Sequence, residues 1–151
     1  MADVLDRLAS HLKQHRVALA AAKATSADIA AWEAKYGVRL PNDLVAYVKR
    51  VNGNFGGETL EFDHEGMSFL PLSAMVPEKE WSEQYDGAGM FVFADMLVQC
   101  YWWCVHLTPE PSERTSIFLR GSRLCLVAES LEEFLDAYID GATRIHPGPT
   151  S

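Results

Sequence analysis

The chain has 151 residues, 48% apolar and 23% charged, which is ordinary for a soluble globular protein and long enough to bury roughly 68–70% of its unfolded surface around one core. No apolar run approaches the roughly 20 residues of a membrane helix, Asp3 and Asp6 stand where a signal peptide would carry basic residues, and the three cysteines are an odd count. Together these predict free thiols, no membrane partner, and a cytoplasmic location.

The formal net charge is −8, and residues 58–95 alone hold nine Asp/Glu against Lys79, as much net negative charge as the whole chain. Such a distribution disfavours direct binding to nucleic acid, which needs basic patches, and favours a basic partner. The alternative is an acidic face that only keeps the protein soluble.

Leu5, Leu8, Leu12 and Leu19 recur at near-helical spacing and predict an amphipathic helix over residues 3–22. Thr25-Ser26 can cap a second helix with Asp28 in its first turn. It would run to about Tyr36, with Ile29, Trp32 and Tyr36 on one face and Gly37 as its stop. Pro41 fits the first turn of a third helix with Leu44, Tyr47, Val48 and Val51 as its stripe, ended by Asn52-Gly53. After Gly57 the period changes. Leu60 and Phe62 alternate with Glu61 and Asp63 as in a half-buried strand, His64-Glu65-Gly66 is a turn, and residues 67–70 return as the partner strand.

Residues 77–85 read as a short helix with Pro77 at its start. Residues 90–94 predict a strand, and residues 98–107, rich in aromatic and β-branched side chains, predict the strongest one. Residues 116–120 and 124–128 form a hairpin around Gly121-Ser122. Ser130 caps a last helix, with Glu133 completing a capping box and Leu131, Phe134, Leu135, Tyr138 and Ile139 as its apolar face. The order predicts an α+β fold: N-terminal helices, a largely antiparallel sheet of roughly four to six strands, and a C-terminal helix packed on the sheet. Residues 1–145 form the one domain, and residues 146–151 read as a flexible tail.

No constellation of catalytic residues emerges. Cys100 and Cys104 share a strand face but stand about 13 Å apart at roughly 3.3 Å per residue, too far for one zinc or a disulfide. His11 and His15 are one helical turn apart, yet Leu12 stands where a zinc-protease motif needs Glu. The Gly53–Gly57 loop follows a helix and lacks the phosphate-binding patterns. No Gly-x-Ser-x-Gly elbow occurs. Trp81 and Tyr85, four apart on an acidic segment, read either as interface anchors or as the inward stripe of their own helix.

Glu33, Gly37, Leu40-Pro41-x-Asp43, Asn52-Gly53 and Gly56 occur in an order that resembles the SUKH superfamily, whose namesakes include a yeast cell-wall synthesis regulator. Phe93-Ala94-Asp95 is similar to its central strand and turn, and Val127-Ala128-Glu129-Ser130-Leu131-Glu132-Glu133-Phe134-Leu135 to its closing strand-to-helix segment. Asn54-Phe55 stretches the glycine loop, and Leu131 stands where Phe is common in that superfamily.

The resemblance implies an α+β domain without shared catalytic residues, hence no catalytic, cofactor or metal-binding positions. In bacteria it implies an immunity protein that binds and neutralises a toxin domain; in eukaryotes it implies a regulatory interaction protein. The expected partner is a cognate toxin, basic, with a nuclease as one such activity. The expected interface comprises Phe55, Glu61, Asp63, Glu65, Glu80, Trp81, Glu83, Tyr85 and Asp86. A regulatory scaffold without a toxin partner is the alternative. An enzyme would require a polar cleft with mutually bonded acid and base groups.

Overall fold

In the computed structural model, which describes residues 1–19, 22–54, 63, 65–83, 88–97 and 99–148, local signals set most helix boundaries. Helix α1 spans Ala2–Gln14 and buries Val4, Leu5, Leu8 and Leu12. It stops well short of residue 22: Arg16 takes a positive φ of 59°, and the Val17 N–H turns back to the Leu12 carbonyl at 2.8 Å. Leu19 still packs against the core, from outside the helix.

Helix α2 covers Ser26–Tyr36. The Thr25 hydroxyl accepts from the Asp28 N–H at 3.1 Å, the Asp28 carboxylate accepts from the Thr25 N–H at 2.9 Å, and Gly37 ends the helix at φ 67°. Helix α3, Asn42–Arg50, follows Pro41 directly. Helix α4, Leu131–Ile139, starts at Ser130, whose hydroxyl accepts from the Glu133 N–H at 3.1 Å. Glu133 reaches back one residue further than a capping box requires, to the Glu129 N–H at 3.1 Å.

Five strands form one antiparallel sheet in sequence order: β1 (Met67–Phe69), β2 (Met90–Met96), β3 (Tyr101–His106), β4 (Ile117–Arg120) and β5 (Leu124–Ala128). The fold is therefore α+β, with the α4 helix on the sheet as expected. β3 begins only at Tyr101, because Leu97 and Gln99 take positive φ angles of 47° and 66° in the β2–β3 turn. The Asp95 carboxylate holds that turn by accepting from the Gln99 N–H at 2.8 Å. The short helix expected over residues 77–85 is a single 3-10 turn, Glu78–Glu80. The strand expected at Leu60 and Phe62 lies outside the described residues.

One face of the sheet receives the helices. Phe93 meets Tyr47 of α3 and Phe134 of α4, Trp103 meets Phe134, and Phe69 meets Tyr138, all edge-on at 4.9–6.0 Å between ring centroids. α1 lies against α4 and α3. Past α4, Ile145 is buried and its carbonyl accepts from the Trp103 indole N–H at 2.7 Å. His146 continues onto the same indole at 5.6 Å. The chain is thus still packed on the core at the first residue expected in the tail.

The residues that mark the third helix and its flanks act as stitches. The Glu33 carboxylate accepts from the Leu40 N–H at 2.7 Å, fixing the turn between α2 and α3. Asp43 accepts from the Thr115 N–H at 2.9 Å, the Thr115 hydroxyl at 2.5 Å and the Leu131 N–H at 3.0 Å, tying the start of α3 to the β4 approach and to the start of α4. At the other end, the Asn52 amide accepts from the Leu72 N–H and donates to the Ala22 carbonyl. Asn54 pairs with both backbone groups of Phe69. Between them Gly53 sits at φ 85°, with the Phe69 carbonyl only 2.5 Å from where a Cβ would stand.

Two stability outcomes follow in urea denaturation. Asp43→Ala strands three donors and is expected to cost about 2–4 kcal/mol. Gly53→Ala adds a clash with backbone to a disfavoured φ and is expected to cost at least about 1–3 kcal/mol. A loss below 1 kcal/mol in either would mean that α3 is held mainly by its apolar stripe.

Candidate protein-interaction surface

The acidic segment does not present its charge evenly. Of its nine acids, Asp63, Glu78 and Asp95 are buried, while Glu65, Glu80 and Glu83 are exposed. Phe55, Glu61, Tyr85 and Asp86, along with Glu58, fall outside the described residues.

Asp63, expected at the interface, is turned inward. Its carboxylate accepts from the Glu65 and Met67 N–H groups at 2.8 Å and from the Tyr138 hydroxyl at 2.5 Å. Burial, then this hydrogen bond and the nearby carboxylates, push the Tyr138 hydroxyl well above the usual phenol range. Strand alternation made Asp63 look like a solvent position. A carboxylate can be buried there because its Oδ1 replaces the backbone partner that an edge strand lacks.

Glu78 is the larger surprise. It is 0% exposed. Pro77 pairs with Phe91 at the edge of β2, and the next residue swings over the face of the sheet opposite the helices. There one carboxylate oxygen accepts from Arg120 Nε at 2.9 Å, the Trp102 indole N–H at 2.9 Å and the Cys104 thiol at 3.1 Å. The other accepts from Arg120 Nη2 at 2.8 Å. Trp102 and Arg120 are direct cross-strand partners, and Cys104 follows on the same face.

Burial alone would raise the Glu78 carboxyl, but the Arg120, Cys104 and Trp102 donors outweigh it and hold it below the usual range. Burial, together with this carboxylate, pushes the Cys104 thiol far up, so Cys104 is a neutral hydrogen-bond donor rather than a nucleophile.

The clamp positions Trp81, whose half-buried ring meets Trp102 at 5.4 Å, tilted 65°. Trp81 thus combines both readings of its sequence pattern: one side packs inward and the remainder reaches solvent between exposed Glu80 and Glu83. Beyond Trp102 the same sheet face opens. Phe118 and Leu124 are half-buried, and Leu126 is 51% exposed. Leu97, next to Gly66 in the β2–β3 turn, is 55% exposed. The sequence gives no sign of these openings, because apolar alternation on β4 and β5 looks the same whether or not something covers the second face.

Neither cysteine-histidine pattern assembles. Cys100 is exposed and Cys104 buried, and among the described residues no three His, Cys, Asp or Glu side chains gather as metal ligands. His11 lies against His15 at 4.6 Å and against Tyr138 at 5.3 Å, in the α1–α4 contact. No described helix is long and apolar enough to cross a membrane.

The model of the SMI1/KNR4 family (SUKH-1) matches residues 23–137, from the cap of α2 into α4. The chain belongs to the SMI1/KNR4 family. No curated protein matches it. The matched region covers α2, α3, the sheet and most of α4, and helix α1, which packs on α4 and α3, lies before it. Within that region Glu33, Asp43, Asn52 and Asn54 bond internally to other parts of the fold. These positions build the domain.

The Glu78 clamp makes a pH-dependent contribution. In the folded state Glu78 titrates below its unfolded range, near 4 for a free carboxyl. The contribution is therefore complete above that range and is lost as pH falls through it. Glu78→Gln is expected to cost about 3 kcal/mol at neutral pH, because it leaves the Arg120 guanidinium poorly compensated. It should also flatten the acid limb of the stability profile. The double variant Glu78→Leu with Arg120→Met should cost less than the sum of the singles in a double-mutant cycle. Additive losses would mean that the two groups are not coupled.

Proposed function

We propose that this SMI1/KNR4-family chain is a non-enzymatic immunity protein that binds a cognate toxin domain and neutralises it in the cytoplasm. The observation that carries the reading is the family membership of residues 23–137 combined with a fold in which the family's polar residues are spent on internal hydrogen bonds.

The surface chemistry supports a basic partner. Glu65, Glu80 and Glu83 are exposed within the most acidic part of the chain, and Trp81 offers a rigid aromatic surface held in place by Trp102 and the Glu78 clamp. Carboxylates around an aromatic anchor suit a basic protein surface. The charges accelerate encounter, and the aromatic ring supplies desolvated contact area. A nuclease, whose substrate channel must be basic, fits this chemistry.

Reversing the three exposed acids together (Glu65→Lys, Glu80→Lys, Glu83→Lys) is expected to slow association with the proposed cognate toxin domain by roughly tenfold or more at low salt. The difference should shrink as ionic strength rises. Folding should be unaffected, since all three side chains are exposed. Surface-plasmon kinetics would read the rates, and survival of toxin-expressing cells would read the function. Undiminished association and rescue by the triple variant would overturn the acidic-surface reading. Absence of any binding by the wild-type chain would overturn the immunity reading in favour of a regulatory scaffold.

A further inference from the structure

The two edges of the sheet are finished differently. At β1 the outer edge is sealed. The Asp63 N–H donates to the Met67 carbonyl at 2.8 Å while its carboxylate accepts from the Met67 N–H at 2.8 Å. Asn54 does the same for Phe69, with its N–H on the carbonyl at 3.1 Å and its side-chain oxygen on the N–H at 2.5 Å. Each of these residues substitutes for a strand partner and leaves nothing for another chain to pair with. At β5, the last strand of the sheet, no hydrogen bond among the described residues crosses the outer edge, and residues 143–145 pack near the strand.

The β5 sequence carries none of the usual protection either. Leu124-Cys125-Leu126-Val127-Ala128 has no charge and no proline, and only a bulge at Val127 interrupts the ladder, where Ile117 faces Ala128 and Phe118 faces Leu126. Its central Leu126 is one of two large apolar side chains exposed among the described residues.

We propose that the β5 edge is a self-association surface, taken up by β5 of a second copy running antiparallel about a two-fold axis through Leu126. The flanking charges identify the partner. Exposed Arg123 precedes the strand and exposed Glu129 follows it. Antiparallel pairing about Leu126 sets Arg123 of each copy against Glu129 of the other, so both ends of the contact are complementary and the apolar run pairs with itself. This is the isologous arrangement that a two-fold dimer requires. The two sheets would join into one, and exposed Leu126 would meet its equivalent on the face opposite the helices, flanked by half-buried Phe118 of each copy. The Val127 bulge keeps the shared ladder short, so a weak, concentration-dependent dimer is expected rather than an obligate one. The exposed acids assigned to toxin recognition lie on other segments, although Trp81 packs on the same sheet face, over Trp102.

Sedimentation equilibrium of the full chain over a concentration series tests this. Wild type should approach twice the monomer mass, and Leu126→Lys should remain monomeric with an unchanged far-UV circular dichroism spectrum, since that side chain is already half in water. Arg123→Glu should raise the dimer dissociation constant roughly tenfold. The same chain carrying both Arg123→Glu and Glu129→Arg should recover, because the pairs re-form with signs exchanged. A wild-type chain that stays monomeric at every concentration, a Leu126→Lys chain that keeps the dimer mass, or a charge swap that fails to restore it would each overturn the proposal. A monomeric wild type whose Leu126→Lys variant loses toxin binding would assign the edge to the toxin instead and leave the immunity reading intact.

Discussion

Helix α3 is fixed at both ends by bonds to distant segments, side-chain bonds alongside backbone ones such as the Asn42 N–H to the Ser112 carbonyl at 2.9 Å, and the placement of the other layers depends on that. Asp43 at its start holds Thr115 and Leu131, 72 and 88 residues away. Asn52 and Asn54 at its end hold Leu72 and Phe69. A nine-residue helix is too short to be stable alone, so these bonds and the burial of Leu44, Tyr47 and Val48 determine where it lies. Once it is placed, Tyr47 sets the level at which Phe93 packs, and Phe93 sets the level for Phe134 of α4. The hydrogen bonds set the register, and the aromatic contacts supply most of the burial energy, at about 25 cal/mol per Å² of apolar surface.

The other face of the sheet is organised differently. Among the described residues no α-helix covers it, and its inner polar atoms converge on one carboxylate. A buried ion pair adds little net stability compared with apolar residues of the same shape, but breaking it is costly. Glu78 therefore acts chiefly as a constraint. The segment carrying it can lie across β3 and β4 in only one position, because Arg120, Trp102 and Cys104 together define a single seat for the carboxylate. Trp81, three residues later, inherits that position. Under the immunity function proposed above, this clamp links fold to recognition: a half-buried aromatic ring serves as an anchor only if its orientation is set before the partner arrives.

Much of this was legible from residue order. Thr25 with Asp28, Gly37, and Ser130 mark helix ends through bonds made within four residues, and the structure shows those bonds. The β4–β5 hairpin and β2 were readable because period-2 alternation and turn residues are local too.

What was not legible depends on distant partners. Asp63, Glu78 and Asp95 look in sequence like the acids around them. The burial of Asp63 and Glu78 depends on Tyr138 and on Arg120, which the chain supplies 75 and 42 residues later, while Asp95 is covered by the β2–β3 turn that it holds. α1 was overextended because Leu19 continues its apolar spacing, although a positive φ at Arg16 had already ended the helix. An apolar pattern records which residues are buried, not the element they are buried from.

The same distinction bears on charge. A segment with a net charge of −8 suggests a uniformly acidic surface, but an acid that accepts two or three hydrogen bonds indoors adds little to the field outside. Asp63 and Glu78 are turned inward, onto an edge seal and an ion pair, and Asp95 is buried beneath the β2–β3 turn, where it accepts from the Gln99 N–H. The charge available for steering is concentrated on the remaining exposed carboxylates, which flank the aromatic anchor and the Gly66 turn. Screening over roughly 8–10 Å at physiological salt makes such local placement matter more than the total. On the immunity reading proposed above, the exposed acids can change without disturbing the buried ones. The structural carboxylates answer to the fold, and only the outward ones are free to answer to a partner.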